Sequence, residues 1–210
     1  MLLDKARQPH SVSNSGQAAR NVIMWCDKRA VDLFRRSDSP AVARVVRGVG
    51  GHLSPERDVP KIMWLNETFG AAWMERVGLA LALLHFLILK CTSALERLMN
   101  SLSYKFLYQL PPAGPGWDVG FYRAIGLETL LENDAARIGA RAQYPGDALG
   151  TGVTAAAVRE LGLAPGMAVA TSLIDGDAGW LGSILCHEGD QKQRPAEERA
   201  SARRAMGVRA

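Results

Sequence analysis

The run MAVATSLIDGDAG, from Met167 to Gly179, joins an apolar segment of strand length to an acidic, glycine-containing end. It predicts a β-strand from Met167 to Ile174 that stops at Asp175. In α/β sheets, ligands bind at the carboxyl ends of strands, where glycine lets the backbone approach closely. A carboxylate there can accept a proton from a substrate hydroxyl or hold Mg²⁺ against phosphates. The alternative is a turn in which Asp175 caps the backbone, since Asp and Gly dominate turns.

A second apolar run of strand length, Asn21–Trp25, precedes a group of chemically useful side chains. Trp25 offers an aromatic face, Asp27 a carboxylate and Arg29 a guanidinium. The alternative is a helix start in which Asp27 is the N-cap. Strands that alternate with helices are typical of an α/β protein, so we expect that fold class, with a helix-rich chain around few strands.

The segment Val59–Leu65 is predicted to be a buried helix. Lys61 within it has two interpretations: a lysine that anchors its surroundings next to Trp64, or a lysine that snorkels from a partly buried helix. His85 lies in an apolar segment and is expected to be a core or edge histidine rather than a metal ligand.

Helix ends are indicated by local signals. Asp118 is a candidate N-cap, and Thr154 is predicted to cap a helix that runs through Leu161 and ends at Gly162. Residues 71–108 are predicted to be helical nearly throughout, with one break near Gly78 and another near Thr92 and Ser93.

Composition limits the class of protein. The chain has 210 residues, 48% of them hydrophobic, which excludes a mostly disordered chain. The 25 Lys and Arg against 21 Asp and Glu give a net charge of +4, too small to indicate a nucleic-acid partner. We expect residues 1–18 to be a disordered segment, 19–185 to be one domain, and 186–210 to be a disordered charged tail.

Three widely spaced cysteines without a Cys-x-x-Cys pair indicate neither a disulfide framework nor a zinc site. Free thiols suit a reducing compartment, and no apolar segment near the N-terminus indicates a secretory signal. The longest apolar stretch, residues 77–89, is too short to span a bilayer, which needs about 20 apolar residues. We therefore expect a cytoplasmic protein with no membrane partner.

Several short blocks, read together, resemble the FGGY carbohydrate kinases, and most closely their D-ribulokinase-like branch. In chain order the matching blocks are Arg20–Trp25, Asp27, Arg29–Ala30, Gly50–Gly51, Ser54–Glu56, Pro60–Leu65, Gly116–Asp118, Ile125–Glu128, Ala136–Gly139, Gly150, Leu161–Leu163, Pro165–Gly166, Ser172–Asp175, Ala178–Gly179 and Leu181–Gly182. So many blocks in one order make the resemblance specific, although each alone is short.

The resemblance implies a two-lobed protein of the actin and RNase H-like type that transfers phosphate from ATP to a sugar hydroxyl. ATP and Mg²⁺ are the implied cofactors, and a ketopentose such as ribulose is the implied substrate. The family's catalytic base, the aspartate of L-I-D-A-H-A-G, falls on Asp175. Trp25, Asp27 and Arg29 are then expected to line the sugar site.

Asp177 replaces the histidine of that motif, and in the same loop Trp180 replaces a glycine. The family's D-x-G-T phosphate loop has no counterpart before Asn21, and its second lobe has none after Leu181. We therefore expect an incomplete kinase N-terminal lobe over residues 19–185, with most ATP-binding elements absent and activity impaired. The alternative is a non-catalytic remnant that serves as a binding or oligomerisation module. A homo-oligomer or a partner that covers the partial sheet is also expected.

Overall fold

A computed structural model of the chain describes residues 1–33, 39–110 and 115–185. The predicted tail, residues 186–210, lies outside the described residues. The chain divides into two compact units. Unit 1 contains residues 1–86 and 102–140, and unit 2 contains residues 87–101 together with those from Arg141 onward. The range 19–185, predicted as one domain, contributes residues to both units, and each unit is built from two separate stretches.

The described elements are mostly helices. In chain order they are β1 (Leu2–Asp4), α1 (Pro40–Gly48), α2 (Asp58–Phe69), α3 (Ala71–Met74), β2 (Val77–Ala80), α4 (Leu83–Thr92), β3 (Arg97–Leu98), α5 (Met99–Phe106), α6 (Val119–Ala124), a 3₁₀ turn (Glu128–Leu131), α7 (Glu132–Ala135), β4 (Ala142–Gln143), α8 (Ala155–Leu161) and α9 (Asp175–Leu185). Over the described ranges, no helix has the length and apolar character needed to cross a membrane.

In unit 1, β1 pairs antiparallel with β2, with Leu2 opposite Ala80 and an irregularity after Leu3. Leu2 and Leu3 are buried. The expectation of disorder over residues 1–18 is thus contradicted, because two apolar side chains and a strand partner offset the cost of ordering this segment. Gly78 lies inside β2 rather than at a helix break, and a Cβ there would collide with the Asp4 carbonyl.

Helix α2 supplies much of the core of unit 1, as the sequence predicts, through the buried side chains of Val59, Ile62, Met63 and Leu65. His85 is also completely buried, in agreement with its predicted place in the core. The predicted cap Asp118 is confirmed, since its carboxylate accepts a 2.9 Å hydrogen bond from the Phe121 amide at the start of α6. The buried Tyr122 hydroxyl on α6 donates a 2.6 Å hydrogen bond to the Phe106 carbonyl.

In unit 2, β3 and β4 pair in parallel, with Arg97 opposite Ala142. Helix α8 begins and ends where the sequence predicts. The Thr154 hydroxyl accepts a hydrogen bond from the Ala157 amide, and Gly162 adopts a left-handed conformation with φ of 69°. Glycine is favoured there because a side chain would be strained.

The strand predicted from Met167 to Ile174 does not form. This segment is extended and makes one antiparallel bridge, between Ala148 and Ala170. Single backbone hydrogen bonds join it to residues 146–153, among them Leu149 N–H to the Val169 carbonyl at 2.8 Å. The segment lacks a continuous partner, so strand composition alone does not produce a ladder.

Asn21–Trp25 also forms no strand; its Asn21 carbonyl accepts a hydrogen bond from the Leu2 amide. The described sheets are two strand pairs among many helices. The described residues are therefore helix-rich, as the sequence predicts, and contain β-strands, but they form no continuous sheet.

Candidate functional site

In unit 2, Asp175 is the first residue of α9 and is exposed. Its Oδ1 accepts a 3.0 Å hydrogen bond from the Gly176 amide. Both Asp175 and Asp177 lie in the first turn of this helix, where carboxylates interact favourably with the positive end of the helix dipole. Among the described residues, no cation forms an ion pair with Asp175. Its carboxylate is therefore accessible to a ligand.

Asp177 has a different environment from Asp175, since it is half-buried. Its Oδ2 accepts a 2.6 Å hydrogen bond from the side-chain amide of Asn100, near the start of α5. Asn100 could not be predicted from the sequence, because it lies far from Asp177 in the chain and their contact depends on the fold of unit 2.

In unit 1, Asp27 and Arg29 form a local pair in the turn that follows Trp25. Asp27 Oδ1 accepts hydrogen bonds from the Arg29 amide and Nε, both at 2.9 Å. Asp27 Oδ2 accepts from Arg29 Nη2 at 2.7 Å. The hydrogen bonds from Arg29 hold the pKa of Asp27 below its ordinary value. The alternative of a helix capped by Asp27 is not observed, because the carboxylate closes a turn instead.

The two tryptophans near this turn differ in accessibility. Trp25 has 59% of its surface exposed. The Arg29 guanidinium lies 4.7 Å from the ring centroid of Trp64 and covers one face of it. Trp25 is therefore the aromatic surface that this turn offers to a ligand, whereas Arg29 is already engaged by Asp27 and Trp64.

Lys61 lies on α2 next to this turn and is only 4% exposed. Its Nζ donates hydrogen bonds to the Trp25 carbonyl at 3.3 Å and to the Glu56 carbonyl at 3.4 Å. Snorkelling is excluded by this burial, and the anchoring interpretation of Lys61 is the one that agrees with the structure. Burial lowers the pKa of Lys61, and the nearby Asp58 carboxylate opposes that shift.

The sequence-predicted site residues thus form two groups. Trp25, Asp27 and Arg29 lie together in one turn of unit 1, whereas Asp175 lies in unit 2 beside Asp177. Each group has a polar residue that the sequence did not assign to the site, Lys61 in the first and Asn100 in the second.

Comparison with curated proteins finds relatives that are similar over most of this chain. The chain is 41% identical over 184 residues to an FGGY carbohydrate kinase domain-containing protein of Homo sapiens, a match that covers 88% of this chain. The chain is homologous to part of the FGGY carbohydrate kinases. A Danio rerio protein of the same description is also 41% identical over 184 residues. A D-ribulokinase of Saccharomyces cerevisiae is 30% identical over 174 residues, which are 79% of this chain and 24% of that protein.

The chain spans 33% of the length of the human FGGY relative and of the zebrafish one. No family model matches it. Among solved structures, gluconate kinase from Lactobacillus acidophilus is similar, with a TM-score of 0.58 at 14% identity over 78% of this chain and 32% of that chain. This likeness shows a shared fold over part of a sugar kinase.

Proposed function

We propose that this chain forms part of an FGGY-type carbohydrate kinase that phosphorylates a sugar hydroxyl at the expense of ATP, with a ketopentose such as ribulose as substrate. The 41% identity over 184 residues to an FGGY relative carries the proposal. The similarity to a D-ribulokinase supports a ketopentose. The likeness to gluconate kinase supports the sugar-kinase fold, which we expect to be of the actin and RNase H-like type.

Asp175 is proposed as the general base. Its carboxylate accepts the proton of the sugar hydroxyl as the hydroxyl oxygen attacks the γ-phosphorus of ATP; the bond from that phosphorus to the bridging oxygen breaks, and ADP leaves. The exposed position of Asp175 at the start of α9 supports this role, because a base must reach the hydroxyl of a bound substrate.

Trp25 is proposed to pack its exposed indole against the carbon–hydrogen face of the sugar. Asp27 and Arg29 then act mainly by holding the shape of the turn, because their mutual hydrogen bonds already occupy most of their polar atoms. A sugar hydroxyl can still contact the remaining lone pairs of Asp27 and the free donors of Arg29.

The described residues do not provide a complete site for the Mg²⁺ that the family implies. They contain no group of three or more His, Cys, Asp or Glu side chains arranged to hold a metal ion. One oxygen of Asp177 is also engaged by Asn100. These donors do not fit a protein-held metal ion, so no step of the proposed reaction is assigned to it.

The proposal is tested by coupled ADP release from the purified chain with Mg-ATP and a panel of ketopentoses. Asp175→Asn keeps the shape of the side chain but removes the base, so sugar-dependent release is expected to disappear. Glu160→Gln is the matched control, because it neutralises an exposed carboxylate of unit 2 that pairs with Lys90. Equal rates in wild type and Asp175→Asn would contradict the role of Asp175.

Absence of sugar-dependent release from folded wild-type protein would favour the alternative, a non-catalytic binding or oligomerisation module of the same lineage. Calorimetric titration with the same sugars and light scattering then distinguish a sugar-binding protein from a self-associating one.

A further inference from the structure

Lys61 is a buried cation on the apolar face of α2, between Val59 and Ile62. Removing an ammonium group from water is costly unless the protein supplies hydrogen bonds and opposite charge. A methionine or leucine would fill the same space without that cost. The position of Lys61 therefore requires an explanation beyond packing.

The ammonium of Lys61 binds backbone carbonyls from two different segments. It donates to the Trp25 carbonyl at 3.3 Å and to the Glu56 carbonyl at 3.4 Å. Lys105 on α5 donates to the same Glu56 carbonyl at 3.1 Å and has no such bond to Trp25. Lys61 therefore joins α2 to the turn of Trp25, whereas the hydrogen bond of Lys105 is made to the Glu56 carbonyl and not to that turn.

Few other contacts hold the turn of Trp25 against α2. Met24 and Trp25 are each 59% exposed, so their side chains contribute little burial. The Asp27–Arg29 pair is local and does not reach α2 by itself. Arg29 reaches α2 through Trp64, which lies three residues after Lys61 and so on the same side of the helix. Lys61 and Trp64 are thus two adjacent attachments of one turn.

We propose that Lys61 is a positioning residue for the sugar site, where its ammonium fixes the Trp25 carbonyl and so sets the direction in which the Trp25 side chain is presented. The inference rests on the proposed function, because it assigns sugar contact to Trp25. Lys61 itself is too buried to contact the sugar.

The surrounding charges are consistent with a fixed ammonium. Burial, together with Lys105, lowers the pKa of Lys61, whereas Asp58, Asp27 and Glu56 oppose that shift and favour the charged form. Three carboxylates and two accepting backbone carbonyls therefore stabilise this one buried cation.

The test uses a nitroxide spin label on Cys26, which is exposed and adjacent to Trp25. The other two cysteines are first replaced by serine in the full chain. Lys61→Met removes the hydrogen bonds while keeping an apolar side chain of similar length, and it is expected to increase label mobility. Lys61→Arg restores a donor and is expected to return the spectrum towards wild type. Lys105→Met is the matched control for the label, because it loses the bond to Glu56 but none to Trp25.

Sugar affinity is measured on the same proteins by calorimetry with ribulose. The loss of a charge-assisted hydrogen bond is expected to weaken binding about tenfold in Lys61→Met, with recovery in Lys61→Arg. Recovery in the arginine variant separates positioning from packing, because arginine fits the apolar space less well than methionine. If Lys61→Met does not fold, as judged by near-ultraviolet circular dichroism, Lys61→Gln replaces it in both measurements.

An unchanged label spectrum in a folded Lys61→Met or Lys61→Gln variant overturns the inference, whatever the affinity of that variant for ribulose. A mobile turn combined with unchanged ribulose affinity also overturns it, since the turn would then not serve the site. Failure of the wild-type chain to bind any ketopentose contradicts the proposed function instead, and the label spectra still report separately whether Lys61 holds the turn.

Discussion

The side-chain amide of Asn100 donates a 2.6 Å hydrogen bond to the carboxylate of Asp177. Asp177 stands where the FGGY motif has a histidine, two residues after the proposed base Asp175. The aspartate that replaces this histidine therefore has a specific partner, because the hydrogen bond from Asn100 holds the Asp177 carboxylate in one orientation. The contact also links the start of α5 to the first turn of α9 within unit 2.

Removal of this contact is expected to destabilise the protein. Asn100→Ala should lower the free energy of unfolding by about 1–2 kcal/mol, because a half-buried carboxylate loses a short hydrogen bond. Urea denaturation measures the change. Asn66→Ala is the control, since its bond to the Gly126 carbonyl is long, at 3.4 Å, and exposed. Equal losses in the two variants would contradict a special role for the Asn100 contact, and a double variant with Asp177→Ala isolates the coupling.

Tyr122→Phe is expected to cost about 1–3 kcal/mol of unfolding free energy, because the Phe106 carbonyl would remain buried without its 2.6 Å partner. Tyr104→Phe is a matched variant in the same unit. The Tyr104 hydroxyl contacts Glu56 Oε2 at 3.4 Å in a less buried place, so its loss should cost much less. Thermal and urea unfolding of both variants check the difference, and a Tyr122→Phe variant as stable as wild type would refute it.

Gly78→Ala is expected to destabilise unit 1 severely, by about 3 kcal/mol or more, because its Cβ would overlap the Asp4 backbone in the β1–β2 pair. Backbone cannot move aside as a flexible side chain can. Gly48→Ala is the comparison: nothing lies within 4 Å of its Cβ position at the end of α1, so it should be neutral or stabilising. Normal stability of Gly78→Ala would show that β1 does not pack against β2 in this register.

The Asp27–Arg29 pair predicts a specific dependence of stability on pH. The pKa of Asp27 is lower in the folded protein than in the unfolded chain, where it is about 3.9. Its stabilising contribution is therefore complete above that value and is lost as pH falls through the folded pKa. The stability difference between wild type and Asp27→Asn should shrink when urea unfolding is moved from pH 6 to pH 3. A constant difference at the two pH values would be incompatible with this pair, and 1 M salt should reduce the effect.

Local signals in the sequence predict several elements correctly. The caps Asp118 and Thr154 and the stop at Gly162 are confirmed, because each depends on hydrogen bonds or backbone conformation within a few residues. The buried helix around Ile62 is also confirmed, since its apolar residues are close in sequence.

Features that depend on distant partners could not be predicted in the same way. Met167–Ile174 has the composition of a strand, but a ladder needs a neighbouring strand that no local pattern specifies. Gly78 was expected to break a helix because nothing near it in sequence shows that β1 lies against it. Residues 1–18 were expected to be disordered for the same reason, since the pairing of Leu2 with Ala80 joins distant segments.

In the candidate site too, contacts between neighbours in sequence could be predicted, whereas contacts between distant residues could not. Trp25, Asp27 and Arg29 are neighbours in sequence and remain neighbours in the structure. The role of Asp175 as base remains a prediction, supported by its exposure at a helix start. Lys61 and Asn100 were not assigned to the site because their partners, the Trp25 carbonyl and Asp177, are brought to them by tertiary folding.

The interleaving of the two units affects the order in which the nascent chain can fold. Residues 87–101 belong to unit 2 but leave the ribosome before residues 102–140 complete unit 1. The parallel pair of Arg97 with Ala142 must therefore wait for later translation, a delay on the order of seconds. Until then the Arg97 side chain, fully buried in the folded protein, remains hydrated. A translational pause shortly after residue 140 has emerged would let unit 1 finish with this segment as an open loop, whereas a pause at residue 101 would leave both units unfinished.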